Sequence, residues 1–95
     1  MEHLYVVSYD IRCPKRWRRV FRTVRGYGEW LQFSVFQCRL NAMALLQLEA
    51  ALTEQINVDE DHVLLVDLGP MDNVRLRIRS LGKGFEPVSR EPVIV

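Results

Sequence analysis

One stretch near the N-terminus limits the folds open to this chain. Leu4-Tyr5-Val6-Val7-Ser8-Tyr9-Asp10 has β character throughout, and apart from Ser8 its apolar residues fall on both faces. A strand that is apolar on both faces needs cover on both. It reads as a central strand, with helices over one face and something else apolar over the other. It also runs straight into an acid, Asp10, followed by Ile11-Arg12-Cys13-Pro14 and a segment crowded with arginine.

Pro14 suits the first turn of a helix. Trp17, Val20, Phe21 and Val24 then fall at i, i+3, i+4 and i+7, one apolar stripe, while Lys15, Arg16, Arg18, Arg19, Arg22 and Arg25 take the remaining surface. Gly26 ends the helix, and Gly28 permits a turn after Tyr27. Residues 29–40 are β-like, as one kinked strand or two, and neither face is cleanly polar. Asn41 caps a second helix running to about Ile56, with Leu45, Leu48, Leu52 and Ile56 on its inner side. His62 to Leu68 is another buried-type strand. In residues 74–80, Val74, Leu76 and Ile78 alternate with Arg75, Arg77 and Arg79, the pattern of an amphipathic strand with a basic face. Val93-Ile94-Val95 is apolar at a terminus, and we expect it to be pinned as an added strand on a partner's sheet edge.

The order β-α-β-α-β-β within 80 residues predicts a two-layer α+β sandwich. The ferredoxin-like βαββαβ arrangement is its commonest small form, and it requires two strands in residues 28–40. Residues 1–82 are expected to form this domain and residues 83–95 an extended tail. A chain of 95 residues hides only roughly 60–65% of the surface its unfolded form exposes. A 48% hydrophobic composition therefore favours an oligomer. Apolar runs are broken by Ser8, Asp10, Gln47 or Asp67, so no membrane span is expected. Met1-Glu2-His3 lacks the basic start of a signal peptide, and the two cysteines have neither disulfide-framework nor metal spacing. A cytoplasmic, reducing location is expected.

The net charge of +1 conceals a segregation. Residues 10–40 carry eight Lys/Arg against two acids, and residues 41–72 carry seven acids and no Lys/Arg. Kept on separate faces, these blocks would make one face attract polyanions. Six basic residues within eleven, with no acid among them, exceed what solubility needs and point to nucleic acid. Asp10 then has two readings: a salt-bridge partner for the arginines, or a carboxylate holding magnesium before a phosphate backbone. Magnesium is held by one or two carboxylates plus water and substrate phosphate, so two acids from a symmetric dimer would suffice. His3, His62, Trp17, Trp30 and Cys38 read as structural. No glycine-rich phosphate loop, Cys/His cluster or paired-carboxylate motif is present, which argues against ATP use, zinc chemistry and glycosidase chemistry.

Tyr-Val-Val-Ser-Tyr-Asp-Ile at 5–11, the basic helix ending Gly26-Tyr27-Gly28, Gln32-Phe33-Ser34-Val35-Phe36-Gln37, and Asp-His-Val-Leu-Leu-Val at 61–66 together resemble the CRISPR-associated protein two family. Gln37 stands where the family pattern has Glu. The resemblance implies a ferredoxin-like homodimer whose sheets face each other, an extra C-terminal strand pairing with the other protomer, and one magnesium shared between the strand-end aspartates. Here that aspartate is Asp10, as catalytic residue and metal ligand. Tyr9, Ser34, Phe36 and the arginines Arg12, Arg16, Arg18 and Arg19 are the nucleic-acid-binding residues the resemblance implies.

Two functions follow. One is a slow metal-dependent endonuclease on RNA or DNA, within the spacer-integration complex. The other is a non-catalytic DNA scaffold bridging dimers of the integrase, CRISPR-associated protein one. Either needs a homodimer and nucleic acid, duplex DNA or single-stranded RNA, and no membrane. A third class, a small-molecule sensor of the same fold, leaves the charge of the first helix without a use.

Overall fold

The computed structural model describes residues 1–82. Its elements run β1 (His3–Asp10), α1 (Pro14–Arg25), β2 (Gly28–Gln32), β3 (Val35–Leu40), α2 (Ala42–Gln55), β4 (His62–Pro70) and a 3-10 turn over Met71–Asn73. The sheet order is β2-β3-β1-β4, with all three neighbouring pairs antiparallel. With two helices, this is the ferredoxin-like α+β sandwich.

β1 is central, as its two apolar faces require. Val7 stands opposite Phe36 of β3 and Leu65 of β4. Tyr5, Val7 and Tyr9 face the helices and form the core with Val20 and Val24 of α1, Phe36 and Cys38 of β3, and Leu48 and Leu52 of α2. Val7, Val20, Val24, Phe36 and Leu48 are wholly excluded from solvent. At about 25 cal/mol per Å², such burial is the main force holding the layers together. Asn41 caps α2 as its side chain predicts, accepting the Ala44 N–H at 2.8 Å.

Residues 28–40 form two strands, and their connection is only Phe33-Ser34. Gly28 is not the turn residue its position implied. It lies in β2 opposite Cys38, and an added Cβ would collide with Cys38 Sγ and the Gln37 carbonyl and lie 2.9 Å from Cys38 Cα. Only glycine permits so close an approach.

Residues 74–80 carry no ladder pairing among the described residues, where sequence alternation predicts a strand. Alternation supplies two chemically distinct faces, but it does not supply an edge to bond to. The expected tail, residues 83–95, lies outside the described residues.

Among the described residues, the face of the sheet away from the helices is largely exposed along β4, although Leu4 of β1 is buried. Period-two alternation places Leu4, Val6, Ser8 and Asp10 of β1 there, with Leu64, Val66 and Leu68 of β4. Leu64 is 49% exposed, Val66 45% and Leu68 38%.

Candidate active site and nucleic-acid interface

Asp10 is the last residue of β1 and is exposed. Among the described residues its side chain makes no hydrogen bond or ion pair, so none of the described arginines is its salt-bridge partner. His62 is its partner in the β1–β4 ladder. Directly opposed residues hold their Cβ atoms about 4.5–5.5 Å apart on the same face, so His62 stands beside Asp10. Sequence spacing could not show this, because 52 positions separate the pair and only the strand register joins them.

Just past Asp10 the chain is pinned by a residue whose role the sequence did not reveal. Asp61, 8% exposed, precedes β4 and accepts four N–H donors. They are Arg12 N at 2.9 Å, Asn57 N at 2.8 Å, Arg16 Nε at 2.7 Å and Arg16 Nη2 at 3.1 Å. The Arg16 guanidinium foremost, then the backbone donors, holds the Asp61 carboxyl well below the usual carboxylate range. The same pairing raises the Arg16 pKa above its ordinary value. Arg16 also donates to Glu60 at 3.0 Å. Expected on the polyanion surface, Arg16 is thus committed to holding the β1–α1 junction against the loop before β4.

Arg12, Lys15, Arg18, Arg19, Arg22 and Arg25 are exposed. Because α1 turns Val20 and Val24 toward the sheet, its arginines lie on the outer helix surface. Asp10 lies on the opposite, open face. Arg12 lies in the junction between β1 and α1.

Tyr9, Ser34 and Phe36 offer almost no surface to a polyanion in this chain: they are 5%, 8% and 0% exposed. Tyr9 packs between Phe36 and Trp17, ring centroids 6.3 and 6.2 Å away. Burial pushes the Tyr9 hydroxyl up to about 12, and that hydroxyl has no hydrogen-bond partner among the described residues. Ser34 Oγ accepts the Trp17 Nε1–H at 2.8 Å, and the Ser34 carbonyl accepts the Tyr9 N–H at 3.2 Å. These residues set the position of the β1 end and the β2–β3 connection.

No group of three or more His, Cys, Asp or Glu side chains suited to a metal ion exists among the described residues. An open carboxylate can be one of the one or two that hold magnesium with water and substrate phosphate, and a second carboxylate brought to it would complete the set. No helix among the described residues is long and apolar enough to cross a membrane.

A four-stranded antiparallel sheet of this order, with an exposed acid at the end of its central strand, defines a ferredoxin-like α+β protein. Residues 3–75 match the family model described as CRISPR associated protein Cas2. The chain belongs to that family. It is 57% identical over 95 residues to the CRISPR-associated endoribonuclease Cas2 of Geobacter sulfurreducens, covering all of both chains. It is 51% identical over 94 residues to the CRISPR-associated endoribonuclease Cas2 1 of Rhodospirillum rubrum, covering 99% of this chain and 92% of the relative. Among solved structures it is similar to Streptococcus pyogenes Cas2 at pH 6.5, with a TM-score of 0.73 and 30% identity over 83% of this chain and 99% of that one.

Proposed function

We propose that this chain is a magnesium-dependent endonuclease that works as a homodimer, with Asp10 of each protomer contributing to one shared site. The observation that carries the reading is the placement of Asp10: exposed, with a side chain unpaired among the described residues, and on the same sheet face as the exposed Leu64, Val66 and Leu68. A second copy covering that apolar face also brings a second Asp10 toward the first. The relatives' names support RNA as substrate, with duplex DNA the other candidate.

Magnesium held there would supply positive charge toward the phosphodiester and make a bound water more acidic. Asp10 holds that charge in place. His62, beside it in the ladder, can accept or return a proton through either ring nitrogen. The Arg16–Asp61 pair keeps the strand end from shifting, and orientation errors of an ångström are costly in rate.

A second reading has its own observation. The exposed arginines of α1 lie on the layer opposite Asp10, where they can track a phosphate backbone without serving the carboxylate. This surface suits a subunit that holds DNA for the integrase in the spacer-integration complex. The test is cleavage of single-stranded RNA and duplex DNA, with magnesium or chelator, by wild type and Asp10→Asn. Loss of cleavage with retained binding supports the nuclease. Full-rate cleavage by a clean Asp10→Asn preparation removes it and leaves the scaffold.

A further inference from the structure

Phe33 occupies a costly place. It is 71% exposed at the tip of the β2–β3 hairpin, and its φ of 26° is the only positive value at a non-glycine residue among the described residues. A bulky aromatic left largely in water gains little there from burial, and the left-handed region strains its backbone. Such strain persists only where the surroundings enforce it, and here they do. The Phe33 ring lies on Trp17, centroids 5.2 Å apart and planes 28° apart, and Trp17 lies on Phe21 at 5.3 Å and 19°. Trp17 Nε1 is tied to Ser34 Oγ at 2.8 Å, and Trp30 Nε1 donates to the Phe33 carbonyl at 3.1 Å. Two indoles thus lock the hairpin tip and back the exposed ring.

The rim of this stack is cationic. The Arg25 guanidinium lies 6.0 Å from the Phe21 ring centroid. Arg18 and Arg25, at i−3 and i+4 from Phe21, are its surface neighbours on one flank of α1. Residues 11–28 contain no acid at all. An open aromatic face held rigid, at one end of a ring stack whose other end carries Arg18 and Arg25, has the composition of a stacking platform for single-stranded nucleic acid.

We propose that Phe33 is a stacking platform for an unpaired nucleobase, with the Arg18/Arg25 flank taking the adjoining phosphates. This rests on the nucleic-acid reading above and narrows it to strands with unpaired bases, because a base inside a duplex has no free face to offer. The uniform positive flank favours a polyanion over a protein segment as occupant. Position adds a consequence: the Phe33-Ser34 tip is at the same end of the sheet as Asp10, since the Ser34 carbonyl accepts the Tyr9 N–H. A base stacked on Phe33 leaves its backbone beside the strand end that carries the carboxylate.

The test uses the full chain with a single-stranded oligonucleotide carrying 2-aminopurine and a blunt duplex of the same sequence. Wild type is expected to quench the fluorophore on binding. Phe33→Leu, which keeps apolar bulk without a π face, is expected to lose the quenching and weaken single-strand binding by about tenfold. Its duplex affinity and melting temperature should be unchanged, and Phe33→Tyr should restore quenching. If Phe33→Leu binds and quenches as wild type does while duplex binding persists, the platform is overturned and the nucleic-acid reading stands. If wild type binds neither oligonucleotide, the nucleic-acid reading falls and the platform with it. Normal single-strand binding by Phe33→Leu, alongside loss of a protein partner, would reassign the hairpin tip to protein docking and overturn the proposal.

Discussion

Arg16 and Asp61 are joined twice, Nε to Oδ2 at 2.7 Å and Nη2 to Oδ1 at 3.1 Å, across 45 residues of sequence. The fork matches a carboxylate in a way lysine cannot. With the Arg12 backbone N–H it fastens the segment after Asp10 to the loop just before β4, whose Asn57 N–H also donates to Asp61. The folded-state pKa of Asp61 lies below its unfolded value. Its stabilisation is therefore complete above the ordinary carboxylate range and is lost as pH falls toward the folded value. Wild type should melt at progressively lower temperatures from about pH 5 downward. Asp61→Asn should melt roughly 10 °C lower at pH 7 and change less across that window. Thermal melts of both proteins between pH 7 and pH 3 decide it, and equal slopes would mean the pair contributes no pH-linked stability.

The two-layer placement of charge predicts that cleavage and duplex binding separate. Asp10→Asn should abolish magnesium-dependent cleavage and leave the salt dependence of DNA binding as it was. Arg18→Ala with Arg19→Ala should do the reverse to binding. Each lost phosphate contact lowers the slope of log affinity against log salt by about 0.9. Titrations at several salt concentrations measure it, and a slope unchanged by the double substitution would place the polyanion surface away from α1.

Much of this architecture can be read from residue patterns whose meaning is local. The double-faced apolar β1 requires a central strand, the stripe Trp17, Val20, Phe21 and Val24 requires a helix on a sheet, and Asn41 announces α2. What could not be read depends on distant partners. Asp61 sits in an acidic block and looks like one solvated acid among several until the fold brings Arg16 to it. The β2–β3 turn carries none of the glycine or Asn-Gly signals of a two-residue hairpin, so Phe33-Ser34 is hidden inside an alternating run. Tyr9 and Phe36 lie on the face whose cover is α1 and α2, while Asp10, one residue on, points the other way; a period of two separates neighbours in a motif that reads as one site. Residues 74–80 show which side chains share a face, and only an edge can make them a strand.

Gly28→Ala tests the close approach of β2 to β3. The new methyl would meet Cys38 and the Gln37 carbonyl, and a backbone oxygen in a ladder cannot move aside cheaply. The expected cost is about 1–3 kcal/mol, the range for overpacking a well-filled site. Chemical denaturation with an unchanged m-value would register it, and a variant as stable as wild type would show that the hairpin yields.

The two cysteines should differ sharply in reactivity. Burial, then the charge of Glu29, pushes the Cys38 thiol up to about 12. Cys13, half-buried at the start of α1, has its thiol lowered by the backbone N–H groups of Arg16 and Lys15. A thiol reagent at neutral pH should label Cys13 in the native protein and reach Cys38 only in denaturant. Peptide mapping after a brief pulse identifies the labelled site, and native-state modification of Cys38 would contradict its burial.

The open sheet face makes the last prediction. Glu29, Gln37, Val6 and Val66 stand in one row across the four strands, and Val66 is nearly half exposed beside Leu64 and Leu68. If a second copy covers this face, Val66→Glu places a carboxylate in an apolar interface without a partner, which is far costlier than exposing it to water. The variant should fold, because position 66 does not touch the helix-covered core, yet sediment as a monomer where wild type sediments as a dimer. It should also lose magnesium-dependent cleavage although Asp10 is intact, since one chain brings a single Asp10 to the proposed shared site. Sedimentation and cleavage measured on one preparation tie the two effects together. A Val66→Glu protein that remains dimeric would put the interface elsewhere, and a monomeric variant that still cleaves would remove the need for two aspartates.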